Sequence, residues 1–484
     1  MARPLVLIHG YSAEGKDFAN LKQALVSRGI DSKDINICNY ISLNNEITIK
    51  DIAEGLDRAF RAHEVLGSET QEFDCIVHST GMLVLRAWLA NAGAPGTNRR
   101  LKRLKHLIGL APATWGSPQA HKGRTWLGAM VKGNRQLGPD FLNAGDLVLD
   151  GLELGGKFTW DLAHLDLLGA APFYDTGDSS PYVAVFIGNT PYDGVASVAN
   201  DPGTDGTVRW SGCSLNARKI TMDLTRIPLA NASRLSITPW ADNRLDIPMI
   251  AVDGRNHGTL ISNPENGMMD LVAAFLKVGD PGSEAHEAWL ARAKKYGEAA
   301  LPKMMVNPAA AAAGLEGDMK KLVERALGHS AETAYEGWQQ FVVLACDERG
   351  DGINDYMIEV LSQAPDGQWV VFDAMSTDVH AYRADPSYRC FHVRLPAGLS
   401  GGAVKLRVRI NASTGTELLA YQGYSSEPRE LGSTAEPVEI DLDDLGGGNG
   451  SMFCPFTTTL IQIVLNREPM PLDQVSRLLT FLES

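Results

Sequence analysis

The 484-residue sequence has no run of eighteen or more uncharged apolar residues, which excludes a membrane-spanning helix of the ordinary kind. Cysteine is scarce. The six (Cys38, Cys75, Cys213, Cys346, Cys390 and Cys454) are scattered, without a CxxC pair or the Cys/His spacing of a metal site. That excludes a disulfide-framed miniature fold and a zinc module, and leaves reduced, mostly buried thiols as the expectation. No fixed-period repeat is present, so a solenoid or propeller is excluded. Positive charge is in deficit: 44 basic against 58 acidic residues give a net charge of -14, which argues against nucleic acid as a partner. Lipid stays open, because apolar contact with a membrane surface needs no net positive charge. Arg3 precedes an apolar run as in a signal peptide, but Leu5–Ile8 is too short and no small-residue cleavage site follows. The expectation is a buried strand in a protein that is cytoplasmic or exported by a signal-independent route.

From residue 1 to about 280, short apolar runs alternate with helical patterns, the signature of a parallel sheet built from βαβ units. Strands are predicted at Pro4–His9, Ile35–Cys38, Asp74–His78, Leu104–Leu110, Tyr182–Gly188, Arg218–Leu224 and Ile247–Val252. Helices are predicted at Lys16–Ser27, Thr48–Leu66, Gly81–Asn91 and Glu265–Leu276. Residues 119–178, rich in Gly, Leu and Trp, interrupt this rhythm as an insertion. Residues 281–335 read as an Ala-rich helical linker, with the Ala run 309–313 in a connecting segment. From 336 to 484 the period changes to two, in runs such as QQFVVLAC, QWVVFDAM and VKLRVRIN separated by turn sequences. This predicts a C-terminal all-β sandwich of about eight strands, closed by an amphipathic helix over 472–483. Its acidic turn DERGDGIND fails the EF-hand spacing, with Arg349 at the third position and no Glu at the twelfth, so no metal site is expected.

The segment FDCIVHSTGMLVLRAWL runs an apolar strand into His78-Ser79-Thr80-Gly81 and then directly into a helix. Such a strand–turn–helix lifts a serine hydroxyl above the end of the sheet, where small neighbours are needed because two backbones approach closely. Gly81 meets that need. Val77 stands where the motif usually has its first glycine, and requires room beside it. A second strand, PLVLIHGYS, ends at the same carboxyl edge, where parallel sheets bind ligands. The backbone N–H groups of Tyr11 and Thr80 are the candidate oxyanion donors.

A serine nucleophile needs a base, and the base an orienting acid. Of the eleven histidines, only His257 follows a late strand (IPMIAVDG) on a polar loop (RNHGTLIS). Asp205, in GTDGTVRWSG, is the first choice of acid, with Asp201, Asp193 and Asp253 as rivals. The order Ser79, Asp205, His257 is the chain order of α/β-hydrolases.

Residues 1–280 resemble a lipase-type α/β-hydrolase, close to bacterial true lipases and the lecithin–cholesterol acyltransferase-like group. Four blocks in the family's order carry the resemblance: LVLIHGYS; IVHSTGMLVLRAWL; LIGLAPATWGSPQA; and TDGTVRWSG followed by RNHGTLI. The resemblance implies Ser79 as nucleophile, Asp205 as acid, His257 as base, and Tyr11 and Thr80 as oxyanion donors. It also makes 119–178 the cap or lid, where Trp115 and Trp126 become candidate contacts for an acyl chain. The implied fold is an α/β-hydrolase sheet with a cap insertion, followed by the β-sandwich. The implied activity is hydrolysis of lipid or other acyl esters through an acyl-enzyme, with no cofactor. An acyltransferase using the same triad, or a non-catalytic lipid- or polymer-binding protein, is the alternative. The expected partner is an acyl-ester or lipid substrate, with peripheral contact to a lipid surface through the cap or C-terminal domain.

Overall fold

A computed structural model describes residues 3–11, 15–41, 44–93, 97–122, 145–169, 173–174, 180–192, 200–225, 235–239, 246–279, 284–305, 334–402, 404–423, 436–442, 452–472 and 474–482. The chain forms two compact units. The first comprises Met1–Ala217 and Pro239–Met304, and the second Arg218–Thr238 and Met305–Ser484.

The first unit is built on six parallel strands: β1 (Leu5–Ile8), β2 (Ile35–Cys38), β3 (Phe73–His78), β4 (Leu104–Leu110), β5 (Tyr182–Gly188) and β8 (Met249–Val252). Their spatial order is β2-β1-β3-β4-β5-β8. Strands β1, β3 and β5 are buried at every position, as strands covered on both faces must be. The order reverses between β1 and β3, so the loops leaving these neighbours diverge and open a crevice at their carboxyl ends.

Helix Ile49–Ala62 starts at a capping box between Thr48 and Asp51 and buries Ile52, Leu56 and Phe60. Helix Gly81–Ala90 is buried from Gly81 through Leu89. Between β4 and β5 the described part of the insertion holds helices Asp146–Leu152 and Lys157–Asp166. Leu152, Leu154, Trp160, Leu162 and Leu167 are buried there, as a local core. Helix Glu284–Glu298, expected as linker, belongs to the first unit, where Trp289 packs on Phe275 and donates to the Leu271 carbonyl at 2.9 Å. The Ala run 309–313 lies outside the described residues.

The second unit has two sheets. One is ordered β11-β10-β14-β16, from Trp369–Val371, Asp355–Gln363, Leu406–Ser413 and Val438–Asp441. The other runs β12-β13-β9-β17-β6-β7, from Ser376–Ala381, Tyr388–Pro396, Tyr335–Asp347, Thr458–Pro469, Ala217–Asp223 and Leu235–Pro239, with β15 (Leu419–Gln422) on β17. Neighbours are antiparallel in the pairs β12–β13 and β13–β9, whereas β9 and β17 run parallel. Their inner faces share a core that includes Phe341, Val343, Val408, Ile410, Ile461 and Ile463.

Two expectations are corrected. The strand predicted at Arg218–Leu224 lies in the second unit's sheet, not in the parallel one. Its sequence ARKITMD alternates, with Ile220 and Met222 buried and Lys219, Thr221 and Asp223 part-exposed, the pattern of a strand covered on one face. The terminal helix is also absent: residues 474–482 are non-helical, with Val475, Leu479 and Leu482 exposed. Twelve residues are too few to hold a helix unless an apolar face is buried, and of the predicted stripe only Leu472 is. All six cysteines are free thiols. Among the described residues no helix is long and apolar enough to cross a membrane.

One buried ion pair ties the insertion to the serine helix. Arg86 donates to both carboxylate oxygens of Asp166 at 2.7 and 2.8 Å and to the Thr114 carbonyl at 2.6 Å, and Tyr174 donates to Asp166 at 3.1 Å. Arg86 and Asp166 are fully buried. Removing one member strands the other charge, which costs about 3–5 kcal/mol, while replacing both by apolar groups costs far less. Arg86→Met is therefore expected to lower the urea-unfolding free energy by about that amount, and Arg86→Met with Asp166→Leu to recover most of it.

Candidate active site

Ser79 follows β3 with φ of +53°, in the left-handed region that side chains other than glycine's seldom occupy. The turn is held by its backbone: Ser79 N donates to Leu110 O at 3.3 Å, and Ser79 O accepts from Met82 N at 3.2 Å and Ala113 N at 3.0 Å. Two glycines make room for it. A Cβ on Gly10 would stand 2.7 Å from Ser79 Cβ and 3.2 Å from its Oγ, and a Cβ on Gly81 would stand 2.6 Å from the Ile8 carbonyl oxygen. Val77 lies opposite Gly109 in register, so the bare position the motif lacks on β3 is supplied on β4. Pro112 and Met82 occupy that space: a Cβ on Gly109 would meet them at 2.9 and 3.1 Å.

His257 and Asp205 are brought together. His257 Nδ1 lies 3.0 Å from Asp205 Oδ2, and the His257 amide donates to the Asp205 carbonyl at 3.1 Å. The other carboxylate oxygen accepts the amides of Thr207 at 3.0 Å and Val208 at 2.9 Å, which fixes its orientation. A carboxylate only accepts, so Nδ1 carries the proton and Nε2 is left as the basic nitrogen. Asp205 is fully buried, whereas Ser79 and His257 keep 7% and 6% exposure.

His78, next to Ser79 in sequence, ties down the His257 loop. Its Nε2 lies 3.0 Å from the His257 carbonyl, and the two rings are 4.6 Å apart. Since a carbonyl only accepts, Nε2 holds the proton. Burial first, and then the neighbouring His257, depress the His78 pKa to about 3.

His9 is a satisfied core residue with a directing role. Its Nε2 accepts the Tyr40 amide at 3.3 Å, its Nδ1 donates to the Gly10 carbonyl at 2.7 Å, and its ring stacks on Tyr40 at 4.2 Å. In a trans peptide C=O and N–H point oppositely, so turning the Gly10 carbonyl toward His9 sends the Tyr11 N–H the other way. It meets Thr80 Oγ1 at 3.2 Å.

Sequence reasoning gave Ser117, Gln119 and Thr114 no role, and Trp115 a different one, yet all four hold the Asp205 loop. Ser117 Oγ donates to Thr207 O at 2.5 Å, Gln119 Nε2 to Gly206 O at 3.3 Å, Thr114 Oγ1 to Cys213 O at 2.8 Å and Trp115 Nε1 to Ser214 O at 2.9 Å. The signal was present in the ATWGSPQ block, but not its target 90 residues on. Trp115 is fully buried, so it supports the loop and offers no surface to an acyl chain, a correction to the expected substrate contact. Trp126 lies outside the described residues, as does Asp193. Asp253 pairs with Lys303 at 2.7 Å and Asn189 at 2.9 Å, away from His257. A second Asp–His pair, Asp74 with His106 at 2.7 Å, sits at the opposite, amino-terminal part of β3 and β4.

A comparison with protein-family models and with curated sequences finds no match. Among solved structures, the chain is similar over its whole length to phospholipase PlaB from Legionella pneumophila, at 20% identity, TM-score 0.73 and 98% coverage of that chain. The same protein in complex with thio-NAD gives 20% identity and TM-score 0.71, over 100% of this chain and 98% of that one. A Bacillus licheniformis lipase in mature form matches over 56% of this chain and 92% of its own, at 14% identity and TM-score 0.36. The fold is that of an α/β-hydrolase with an added β-domain.

Two outcomes test this geometry. Gly10→Ala drives a methyl into Ser79, and is expected to reduce kcat/KM for a p-nitrophenyl ester at least ~100-fold, on the scale set by a displaced reacting group. In the native protein His78 stays neutral down to about pH 3, whereas in the unfolded chain it gains a proton near pH 6.5. The unfolded state therefore binds more protons between these values, and stability falls as pH drops through that window, by up to about 1.4 kcal/mol per pH unit. His78→Gln is expected to flatten this slope, read from urea midpoints at pH 7 and pH 5.

Proposed function

We propose that this protein is a serine carboxylic-ester hydrolase acting on lipid acyl esters, with phospholipids as its substrate class. The observation that carries the reading is Ser79 at φ +53° on the carboxyl edge of a parallel sheet, next in sequence to His78, whose ring bonds the carbonyl of His257, an imidazole whose Nδ1 is bound to a buried, amide-fixed carboxylate. Full-length similarity to a protein named as a phospholipase supports the lipid part of the reading.

In this mechanism Ser79 Oγ attacks the ester carbonyl carbon while His257 Nε2 takes its proton. Asp205 keeps the imidazole in the required tautomer and stabilises its protonated form. The carbonyl oxygen, now negative, is bound by the N–H groups of Tyr11 and Thr80, fixed donors that stabilise the tetrahedral intermediate by several kcal/mol. For that, the Tyr11 N–H exchanges Thr80 Oγ1 for the oxyanion. Collapse returns the proton to the leaving alcohol oxygen, and water activated by His257 then releases the acid from Ser79. The reaction requires no metal or organic cofactor.

The test is initial hydrolysis rate on p-nitrophenyl esters from acetate to palmitate and on phosphatidylcholine vesicles, wild type beside Ser79→Ala. Loss of the nucleophile is expected to cut the rate by ~10⁴-fold or more on both. Equal rates for the two proteins defeat the reading, and activity confined to short soluble esters defeats its lipid part.

A further inference from the structure

The Thr80 side chain does not do what a threonine usually does at the start of a helix. A capping hydroxyl accepts an N–H of the first helical turn, from a residue whose own backbone is extended. Thr80 precedes helix Gly81–Ala90 with φ of -57° and ψ of -24°, and its hydroxyl caps nothing there. Its Oγ1 instead accepts the Tyr11 N–H at 3.2 Å, on the loop that leaves β1. Besides its lone pairs a threonine hydroxyl has one proton to donate. The Thr80 O–H has no acceptor among the described residues, although Thr80 is fully buried. A buried donor left unpaired costs free energy, and native structures hold few of them.

We propose that the Thr80 hydroxyl is a third oxyanion donor, a side-chain group added to the backbone N–H groups of Tyr11 and Thr80. This rests on the hydrolase reading above. An oxyanion bound by the Tyr11 N–H stands ~2.9 Å from that nitrogen. Thr80 Oγ1 stands 3.2 Å from the same nitrogen, and the remaining donor, the Thr80 N–H, belongs to the same residue as the hydroxyl. The oxygen that takes the Tyr11 N–H therefore arrives beside a hydroxyl that has just lost its own donor. Rotation about the Cβ–Oγ1 bond turns the O–H toward it, and the proton stays on Thr80 throughout. The same group thus keeps the Tyr11 N–H satisfied in the resting site and donates in the tetrahedral intermediate, because a hydroxyl both accepts and donates. A neutral ester carbonyl gains less from the extra donor than the negative oxygen does, so the effect falls on kcat and not on KM.

The experiment measures kcat and KM of the full-length protein for p-nitrophenyl butyrate. It also measures the Ki of an alkyl trifluoromethyl ketone, whose adduct with the serine carries the same oxyanion. Thr80→Val keeps the shape and the backbone N–H but lacks the hydroxyl. It is expected to lower kcat ~100-fold or more, the scale of one lost oxyanion donor, and to weaken the ketone by a similar factor, with KM little changed. Thr80→Ser restores the hydroxyl and is expected to recover most of both losses. Thr80→Ala, which cannot clash, gives the same readings where Thr80→Val does not fold. A hydroxyl that only covers the Tyr11 N–H predicts the opposite sign, because it competes with substrate and its removal leaves kcat unchanged or raises it. That result overturns the proposal. So does a Thr80→Ser protein as slow as Thr80→Val, which assigns the loss to shape. Failure of the hydrolase reading appears separately, as a Ser79→Ala protein that hydrolyses the ester at the wild-type rate.

Discussion

The constraint on which the first unit depends is the backbone of Ser79. A residue with a Cβ held at φ +53° carries strain on the order of 1–3 kcal/mol, and persists only where its surroundings leave no alternative. Those surroundings are specific: three backbone hydrogen bonds close on Ser79, and bare glycine positions stand on both sides of the turn. The helix that follows is buried along almost its whole length, so the turn cannot relax by lifting the helix away. The strain is thus held by packing, and its product is a hydroxyl fixed at the reversal of the strand order. There the β1 loop approaches so closely that a Cβ on Gly10 would stand 2.7 Å from the Ser79 Cβ.

Around that point, each group of the candidate site is positioned by a neighbour outside it. His9 orients the Gly10–Tyr11 peptide, His78 ties the base loop to the serine strand, and the ATWGSPQ segment clasps the acid loop at four points. Arg86 links the serine helix, the same segment and the insertion through one guanidinium. Its burial disfavours the charge, yet Asp166 more than offsets this and raises the Arg86 pKa. The guanidinium therefore keeps its charge, and its bonds impose direction where apolar packing alone imposes only proximity.

The six parallel strands were legible because each reads as a short apolar run with few charges, a pattern imposed by burial on both faces. Asp205 and His257 were legible from their order and their polar loops, and the structure joins them by two hydrogen bonds. What was not legible depends on distance in sequence. Nothing in the sequence says that Arg86 meets Asp166 eighty residues on, or that Asp74 and His106 form an equally tight pair at the wrong end of the strands. The strand at Ala217–Asp223 was misplaced for another reason. It lies between hydrolase-like blocks, but its own alternation, ARKITMD, states one-sided burial directly. The terminal apolar stripe was misread because periodicity shows which face a helix would bury, and not whether anything covers that face.

That misplaced strand exposes a problem that the fold has to solve. The acid lies before residues 218–238 and the base after them, yet the two side chains must meet at 3.0 Å. The Asn216 side chain ties together the two ends of that excursion to the second unit. Its Nδ2 donates to the Ile247 carbonyl at 2.9 Å and its Oδ1 accepts the Ile247 amide at 3.0 Å, reproducing with one side chain the paired bonds of a two-stranded ladder. Departure and return are thus closed at the neck, just outside β8. Asp205 and His257 thus meet within the first unit, on a chain whose excursion to the second is closed by Asn216 and Ile247.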